Sequence, residues 1–201
     1  MTTNLCQGAL FILEVAEALF SEKGFAAVSI NEIAKQAGSS KANIFHHFKS
    51  KEGLYLAVLK QACSRSAAAL DSVQKEASAN PLNQLQHFHA SHLKTILSES
   101  KSTQLIQREL MGNGEQRGKQ LAEEVFRDTF SKAINLVKQA QNHELIRQDI
   151  EPSLLVFLMM GSNVIFFEAQ SMLKHLPEVS FASSPEQYST DVFNLLTHGF
   201  K

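Results

Sequence analysis

Residues 29–54 read SINEIAKQAGSSKANIFHHFKSKEGL and contain the clearest structural pattern in the chain. Ser29, followed three residues later by Glu32, forms a capping box that predicts a helix beginning at Ile30. Gly38 tolerates the left-handed backbone that commonly ends a helix, so this first helix should end there. The segment therefore begins with a short helix followed by a tight turn.

A second helix is predicted directly after the turn. Ser39 or Ser40 can cap it, and the pattern places it at about residues 41–47. Ile44 and Phe48 would face inward. The residues that would face outward are Lys41, Ala42, Asn43, Phe45, His46 and His47. Two helices joined in this way form a helix-turn-helix, whose second helix can enter the major groove of DNA.

Positive charge is concentrated around this segment. Residues 35–60 contain five lysines and one acid, Glu52, which gives a local net charge of +4. The whole chain has a formal net charge of −1, so the remaining residues sum to −5, the difference between −1 and +4. Such a patch attracts a phosphate backbone, and binding there should weaken as the salt concentration rises. The uneven distribution argues against a nonspecific polycation.

The first 60 residues or so resemble the DNA-binding domain of the TetR/AcrR family of transcriptional regulators. Residues 38–52 follow the ordered pattern G-x-S-K-x-x-[IL]-[FY]-x-H-F-x-x-K-E. The matching residues are Phe20, Gly24, Phe25, Val28, Ser29, Ile33, Ala34, Ala37, Gly38, Ser40, Lys41, Ile44, Phe45, His47, Phe48, Lys51, Glu52 and Leu54. The resemblance implies a three-helix DNA-binding domain, 5–65, followed by a larger helical domain, 66–201, for effector binding and dimerisation.

The resemblance also implies DNA contacts for nine residues. The positions at which the family contacts base edges are occupied by Lys41, Ala42 and Asn43. Those at which it contacts phosphates are occupied by Ser29, Ser40, His47 and Lys51, and His46 can contact either class of atom. Phe45 stands where the family usually has tyrosine, so its ring can pack or touch a thymine methyl without a phenolic hydrogen bond. Residues 1–8 contain no basic side chain, so contacts from an N-terminal arm are not expected.

Composition favours an all-α protein. Glycine and proline number only 9 and 4 among 201 residues, and no long run alternates as a β-strand does. Residues 9–20 include two glutamates and lack the basic start of a secretory leader, so they are predicted to belong to the first helix. The inward face of this helix is predicted to comprise Ala9, Ile12, Leu13, Ala16, Leu19 and Phe20. Two cysteines, Cys6 and Cys63, and no recognisable leader suggest a reduced, cytoplasmic environment.

About nine helices are predicted along the chain. They cover approximately residues 5–23, 30–37, 41–47, 50–77, 81–99, 103–111, 115–142, 152–175 and 185–197. Serine or asparagine precedes several of these segments, and Pro81, Pro152 and Pro185 suit first-turn positions. Ser184 with Gln187 forms another capping box in the sequence.

The penultimate helix is apolar almost all the way round. Residues 154–173 read LLVFLMMGSNVIFFEAQSML, and the uninterrupted apolar run is too short for a bilayer because Gly161, Ser162 and Asn163 break it. In the family, the last two long helices form a four-helix interface with a second copy. One side of the last helix presents Tyr188, Val192, Leu195 and Leu196. The prediction is therefore a homodimer through the last two helices, with an ordinary monomer core as the alternative.

An effector site within 66–201 is implied by the resemblance, with an apolar small molecule as its expected ligand. Candidate lining residues are Phe88, Arg108, Phe126, Phe130, Phe167 and Glu168. Fourteen phenylalanines without tryptophan fit either an apolar cavity or a large core. Glu168, and in the same way Arg108, can be interpreted as a polar ligand anchor or as a group at a packing edge.

Three histidines on one predicted helix raise the question of a metal site. His89 and His92 are three residues apart and can share a face, whereas His87 lies elsewhere around the helix. A two-histidine site completed from another element stays open, but surface or packing roles are the default. Neither a metal nor a cofactor is predicted.

The sequence contains no G-x-S-x-G, H-E-x-x-H, C-x-x-C, P-loop or dinucleotide motif, so an enzyme is not predicted. The hypothesis is a cytoplasmic, non-membrane, DNA-binding transcriptional regulator, specifically a repressor that a small-molecule effector releases from a double-stranded operator. The alternative is a helical small-molecule-binding protein or enzyme without sequence-specific DNA binding.

Overall fold

The computed structural model describes residues 6–74, 80–112 and 115–199. Across these ranges the ordered elements are helices, with no β-strand, and the all-α prediction is confirmed. The α-helices are α1 (Gln7–Lys23), α2 (Ile30–Gln36), α3 (Lys41–Phe48), α4 (Lys51–Gln74), α5 (Pro81–Ser98), α6 (Ser100–Gly112), α7 (Glu115–Leu121), α8 (Arg127–Asn142), α9 (Pro152–Leu173) and α10 (Pro185–His198). A π-helical segment, Ala122–Phe126, joins α7 to α8, and a 3-10 turn, Phe181–Ser183, precedes α10.

The helix boundaries follow the predicted ones closely. Residues 115–142, predicted as one helix, are helical throughout but contain the π-helical segment, so the described ranges contain nine helical stretches. The predicted start near Leu5 and the predicted end of the fourth helix near Ala77 lie outside the described residues. Gly24 and Gly38 adopt positive φ angles of 80° and 56° and follow the ends of α1 and α2, as a left-handed terminating residue should.

Most predicted N-caps are present. Side-chain oxygens accept backbone N–H groups in four of them, namely Glu32 N to Ser29 Oγ (3.1 Å), Asn43 N to Ser40 Oγ (3.1 Å), Gly53 N to Ser50 Oγ (2.9 Å) and Leu82 N to Asn80 Oδ1 (2.9 Å). The capping box predicted at Ser184 is wrong, because its side chain makes no cap hydrogen bond. Its ψ angle is 76°, whereas the capping serines of α2 and α3 have ψ near 150°, and this difference directs the hydroxyl away from the first-turn amides.

The residues cluster into two compact units. The first contains Met1–Cys63 and Ser100–Phe126, and the second contains Ser64–Glu99 and Arg127–Lys201. The expected functional domains, 5–65 and 66–201, stay a prediction, but the compact units divide the chain differently because residues 100–126 join the N-terminal helices.

The core of the first unit is built on the predicted inward face of α1. Its buried side chains are Ala9, Ile12, Leu13, Ala16, Leu19 and Phe20. This face packs against α2, α3 and α6, and Leu105, Leu121 and Val125 complete the same apolar cluster. Phe20 also contacts Tyr55 of α4 edge-on, with ring centroids 5.0 Å apart. The result is a rigid apolar support for the short helices α2 and α3.

The second unit packs α5, α8, α9 and α10 against one another. Its apolar core contains Leu85, Phe88, Ala133, Leu136, Val137, Ala140, Ile146, Leu155, Val156, Met159 and Phe193. α10 is tied to α9 by Tyr188, whose hydroxyl donates to the Ser162 carbonyl at 2.7 Å. Partial burial raises the pKa of Tyr188, so the phenol stays protonated and able to donate.

Candidate nucleic-acid interface

The inward face of α3 holds this helix against α1 and α2. Ile44 and Phe48, four residues apart, are buried in the core of the first unit together with Ile33 of α2. The predicted inward pair is therefore confirmed. Because these two side chains occupy one side of a two-turn helix, the other side must face solvent.

The outward side of α3 is accessible as predicted. Seven of the nine predicted contact residues are exposed, namely Ser29, Ser40, Lys41, Ala42, Asn43, Phe45 and His46. His47 and Lys51 are half-buried. Phe45 is 42% exposed although its side chain is large and apolar. Its ring is therefore available for an apolar contact with another molecule. The individual DNA-contact roles stay predictions.

Asn43 and Lys51 are both oriented by neighbouring groups. Asn43 Nδ2 donates to Ser39 Oγ at 3.0 Å, which fixes the amide at the start of α3. Lys51 Nζ lies 4.4 Å from the centroid of the Phe25 ring and donates to the Ala26 carbonyl at 3.4 Å. The ammonium group therefore has a defined position at the start of α4, where a helix N-terminus also attracts anions.

The connection between α3 and α4 is a tight turn that the sequence pattern did not reveal. Lys49 has φ 68° and ψ −43°, and Ser50 N donates to the Phe48 carbonyl at 2.8 Å, which closes a γ-turn. Gly53 faces the same carbonyl, and a Cβ atom built on it would lie 2.1 Å from Phe48 O. A glycine in the first turn of a helix is the only sequence sign of this close approach.

Cys6 is a neighbour of the α3 surface that sequence reasoning missed. Its Sγ atom lies 3.7 Å from Nε2 of His47, and Cys6 is exposed. The two residues are 41 positions apart, so no local pattern links them. The expectation about an N-terminal arm concerns mainly residues 1–5, which lie outside the described residues.

Ion pairs reduce the local positive charge. Lys60, one of the five lysines within residues 35–60, pairs with Glu124 at 3.0 Å. Lys23 pairs with Glu32 at 2.6 Å, and this hydrogen-bonded contact raises the pKa of Lys23 and lowers the pKa of Glu32. Counting Glu124 with residues 35–60 lowers the local net charge from +4 to +3. Lys41, Lys49 and Lys51, which lie on or next to α3, make no ion pair with any of the described residues.

The matched sequence family agrees with this geometry. Residues 12–58, which include α2, α3 and the start of α4, match the model of the bacterial regulatory proteins of the tetR family. Residues 12–58 carry the N-terminal domain of the tetR family. The curated relatives that match this segment are transcriptional regulators.

Relatives of the TetR/AcrR family align mainly through the N-terminal segment. The chain is 36% identical over 70 residues to the uncharacterized HTH-type transcriptional regulator YerO of Bacillus subtilis, covering 35% of this chain and 24% of YerO. It is 30% identical over 117 residues to the HTH-type transcriptional repressor KstR2 of Mycobacterium tuberculosis, covering 54% of this chain and 58% of KstR2. The aligned region thus spans about a quarter to just over half of these relatives' lengths.

The fold extends this similarity over the whole chain. The solved structure of the fatty acid degradation regulator FadR from Bacillus halodurans superposes with a TM-score of 0.80 and covers 99% of each chain. Sequence identity is 18%, so the comparison establishes a shared fold. Both the N-terminal helix-turn-helix and the larger helical part therefore share the fold of that structure.

The candidate effector residues lie in both compact units. Phe88 is buried in the second unit, where Phe130 and Phe167 are half-buried and Glu168 is exposed. Arg108 and Phe126 belong to the first unit, and Arg108 Nη1 donates to the Ser21 carbonyl at 3.0 Å. Glu168 is thus exposed rather than buried, and Arg108 has a structural contact. Their roles in effector binding stay predictions.

The three histidines of α5 separate into two environments. His87 is exposed, whereas His89 and His92 are buried on the shared face that the spacing predicted. Burial lowers the pKa of both His89 and His92 to about 4, and the proximity of His89 adds to the effect on His92. Among the described residues, no group of three or more potential metal ligands is present.

The apolar helix α9 ends two residues before its predicted end at residue 175. Its 22 residues, Pro152–Leu173, are long and apolar enough to cross a membrane by length and composition alone. The core helices of soluble proteins meet the same criterion, and α9 packs against α5, α8 and α10 within its unit. Length and composition are therefore weak evidence for a membrane span, and α9 is described here as a packed helix.

Proposed function

We propose that this chain is a DNA-binding transcriptional regulator, and specifically a repressor that a small-molecule effector releases from its operator. The observation that supports this most is α3, whose apolar side is buried while Lys41, Asn43 and Phe45 are exposed on an oriented, capped helix. A helix presented in this way fits the B-DNA major groove. A regulator of this kind acts in the cytoplasm.

The proposed base contacts and the proposed phosphate contacts lie in different parts of the site. Lys41, Ala42 and Asn43 form the first turn of α3, which is the part of a recognition helix that contacts base edges. Ser29 and Ser40 are exposed at the starts of α2 and α3, and Lys51 is fixed at the start of α4. Phosphate contacts from these residues would set the position of α3 on the duplex.

A homodimer through the last two helices is supported by an exposed apolar surface on α9 and α10. Its exposed large side chains are Leu154, Phe157, Leu158, Ile165, Met172 and Leu195. Gly161 lies among them along α9, and a Cβ atom built on it would meet no atom of its own chain within 4 Å. Contiguous apolar surface of this kind commonly forms a protein interface. A two-fold dimer would place one α3 on each half of a near-palindromic operator.

Effector control is proposed to act through α4. This helix begins beside α3 at Lys51 and continues without interruption to Gln74. It therefore extends past Cys63, where the N-terminal segment of the first unit ends. An effector bound within residues 66–201 would favour one position of α4 over another. The distance between the two α3 helices would then differ between the effector-bound and effector-free states, and DNA of fixed half-site spacing would bind only one of them.

The test is operator binding by alanine variants, using fragments selected from genomic DNA and fluorescence anisotropy. Lys51→Ala should weaken all duplexes alike and reduce the salt slope by about 1, because it removes a phosphate contact. Lys41→Ala should also relax base preference, at a cost of about 1–3 kcal/mol on the preferred operator. Lys94→Ala, which removes an exposed lysine from α5, is the matched control.

Equal binding by the parent, Lys41→Ala and Lys51→Ala proteins would overturn the assignment of the α3 surface. The alternative function, a helical small-molecule-binding protein without sequence-specific DNA binding, predicts the same affinity for selected and scrambled duplexes. A gel shift with the two duplexes at physiological salt separates these proposals, because only a specific regulator prefers the selected sequence.

A further inference from the structure

Four buried polar side chains lie together inside the second unit, and we call them the polar cluster. They are His89 and His92 of α5, Asn163 of α9 and Ser189 of α10. Asn163 is fully buried and His89 is 1% exposed. The same helices form an apolar core around them, and polar groups in such a place are costly unless each one has a hydrogen-bond partner.

The hydrogen bonds of Asn163 fix the orientation of its amide. Nδ2 lies 3.0 Å from the backbone carbonyl of His89 and 3.1 Å from Nδ1 of His92. A carbonyl oxygen can only accept, so the atom facing it must be the amide nitrogen. Both hydrogens of Nδ2 are then used, and Nδ1 of His92 is an acceptor in a ring protonated at Nε2.

Asn163 Oδ1 is left as a buried acceptor with no hydrogen bond to any residue in the described ranges. His89 has more of its hydrogen-bonding capacity used. Its Nδ1 lies 3.0 Å from Ser189 Oγ, and its imidazole also interacts with the Met159 backbone. Native proteins satisfy nearly all buried polar groups, so a donor other than the described side chains is expected at Asn163 Oδ1.

The surroundings define the chemistry of that donor. Phe88 and Phe193 have ring centroids 6.0 Å and 6.2 Å from those of His92 and His89, which gives the cluster aromatic neighbours. Both imidazoles are neutral at pH 7, because burial lowers the pKa of each to about 4. No charged side chain belongs to the cluster, so an anionic or cationic group would lose its hydration without gaining an opposite charge.

We propose that the polar cluster is the polar end of the effector site, and that it binds the hydroxyl group of a neutral, mainly apolar small molecule. The hydroxyl hydrogen is donated to Asn163 Oδ1, beside the imidazoles of His89 and His92. This inference rests on the proposed function, because it names the ligand class of the proposed effector site. It also gives a role to His89 and His92, for which packing or surface positions were the default interpretation of the sequence.

The experiment compares three probes of nearly equal size on the full-length protein without DNA. p-Cresol has the hydroxyl, p-xylene replaces it with a methyl group, and 4-methylbenzoate has a charged group instead. Calorimetry gives the affinities, and ¹⁵N spectra of the histidine side chains report on His89 and His92. The wild-type protein should bind p-cresol at least fivefold more tightly than either other probe, with a shift of the His89 ring signals.

Asn163→Leu tests the acceptor directly. This variant should bind p-cresol about five- to tenfold more weakly, the value of one neutral hydrogen bond, and should bind p-xylene as the wild type does. Thr197→Val is the matched control, because Thr197 of α10 is buried and polar like Asn163. Its hydroxyl already donates to the Phe193 carbonyl at 2.8 Å, so its removal should leave the affinity for p-cresol unchanged. The wild-type comparison needs no variant, so a folding defect in Asn163→Leu leaves the test intact.

Three results would overturn the proposal. They are equal affinity for p-cresol and p-xylene, wild-type p-cresol affinity in Asn163→Leu, and a crystal structure in which a water stays on Asn163 Oδ1 at saturating p-cresol. DNA binding is measured separately by anisotropy. A protein that discriminates among the probes but never prefers an operator sequence would contradict the proposed function while leaving the polar cluster as a ligand site.

Discussion

At the scale of single residues, the short link between α3 and α4 depends on backbone geometry that only certain side chains permit. Lys49 adopts φ 68° in a γ-turn, and Gly53 packs its backbone against the Phe48 carbonyl. The positions of α3 and Lys51 both follow from this link. Sequence reasoning found the surface residues of α3 because helical spacing determines which side faces out, but nothing local in the sequence predicts a backbone approach between residues 48 and 53.

Gly53→Ala should destabilise the protein. The added Cβ would lie 2.1 Å from Phe48 O, so the backbone must shift, and we expect a loss of about 1–3 kcal/mol in the free energy of unfolding together with weaker DNA binding. Gly118→Ala is the matched control, because that glycine of α7 has no neighbouring atom within 4 Å of the new Cβ. The control should gain up to about 1 kcal/mol. Urea unfolding measures both, and a Gly53→Ala protein as stable as the parent would contradict the close approach.

At the scale of helices, the sequence predicted where helices form better than it predicted the geometry of their ends and turns. Capping residues and apolar spacing are local properties, so the caps at Ser29, Ser40 and Asn80 and the inward face of α1 were predicted correctly. The failed cap at Ser184 depends on a single ψ angle. The π-helical segment Ala122–Phe126 adds a wide turn without changing the side-chain pattern enough to be recognised.

The predicted homodimer can be tested with a substitution on the exposed surface of α9. Ile165 is 67% exposed, and Ile165→Arg should convert the dimer to monomers because a charge would be buried at the proposed interface. Met111→Arg, at an 89% exposed position of α6, is the control and should leave the oligomeric state unchanged. Sedimentation equilibrium at micromolar concentration measures both. A dimeric Ile165→Arg protein would place the interface elsewhere.

At the scale of the whole molecule, the sequence indicated the fold class and family but not how segments associate. Arg108 Nη1 contacts the Ser21 carbonyl 87 residues away, and Lys60 pairs with Glu124 across 64 residues. Such contacts depend on packing between distant helices. The polar cluster was missed for the same reason, because spacing placed His89 and His92 on one face without indicating that Asn163 and Ser189 would meet them.

Stability should fall as the pH decreases from about 6.5 toward 4. Over this interval the unfolded chain binds protons on His89 and His92, whose pKa values are about 4 in the folded protein against an ordinary 6.5. The folded state is therefore favoured fully above pH 6.5 and progressively less below it, by about 2 kcal/mol for each histidine between pH 7 and pH 5. Urea unfolding at several pH values measures this dependence.

A variant of one histidine isolates its share of the pH effect. In His92→Leu, the free energy of unfolding should depend less steeply on pH, because about one proton fewer is taken up on unfolding. This difference in slope does not depend on the stability of the variant at pH 7. His87→Gln, at an exposed position of the same helix, should follow the parent. Parallel curves for His92→Leu and the parent would show that His92 does not resist protonation in the folded state.

The association of α6 and the π-helical segment with the N-terminal helices has a consequence for truncation. Leu105, Leu121 and Val125 belong to the same apolar cluster as Ile12, Leu13 and Phe20. A fragment cut at residue 65 would keep every residue of the helix-turn-helix and lose that cover. The uncovered apolar side of α1 would favour aggregation of such a fragment, so we predict that a soluble DNA-binding fragment must also contain residues 100–126.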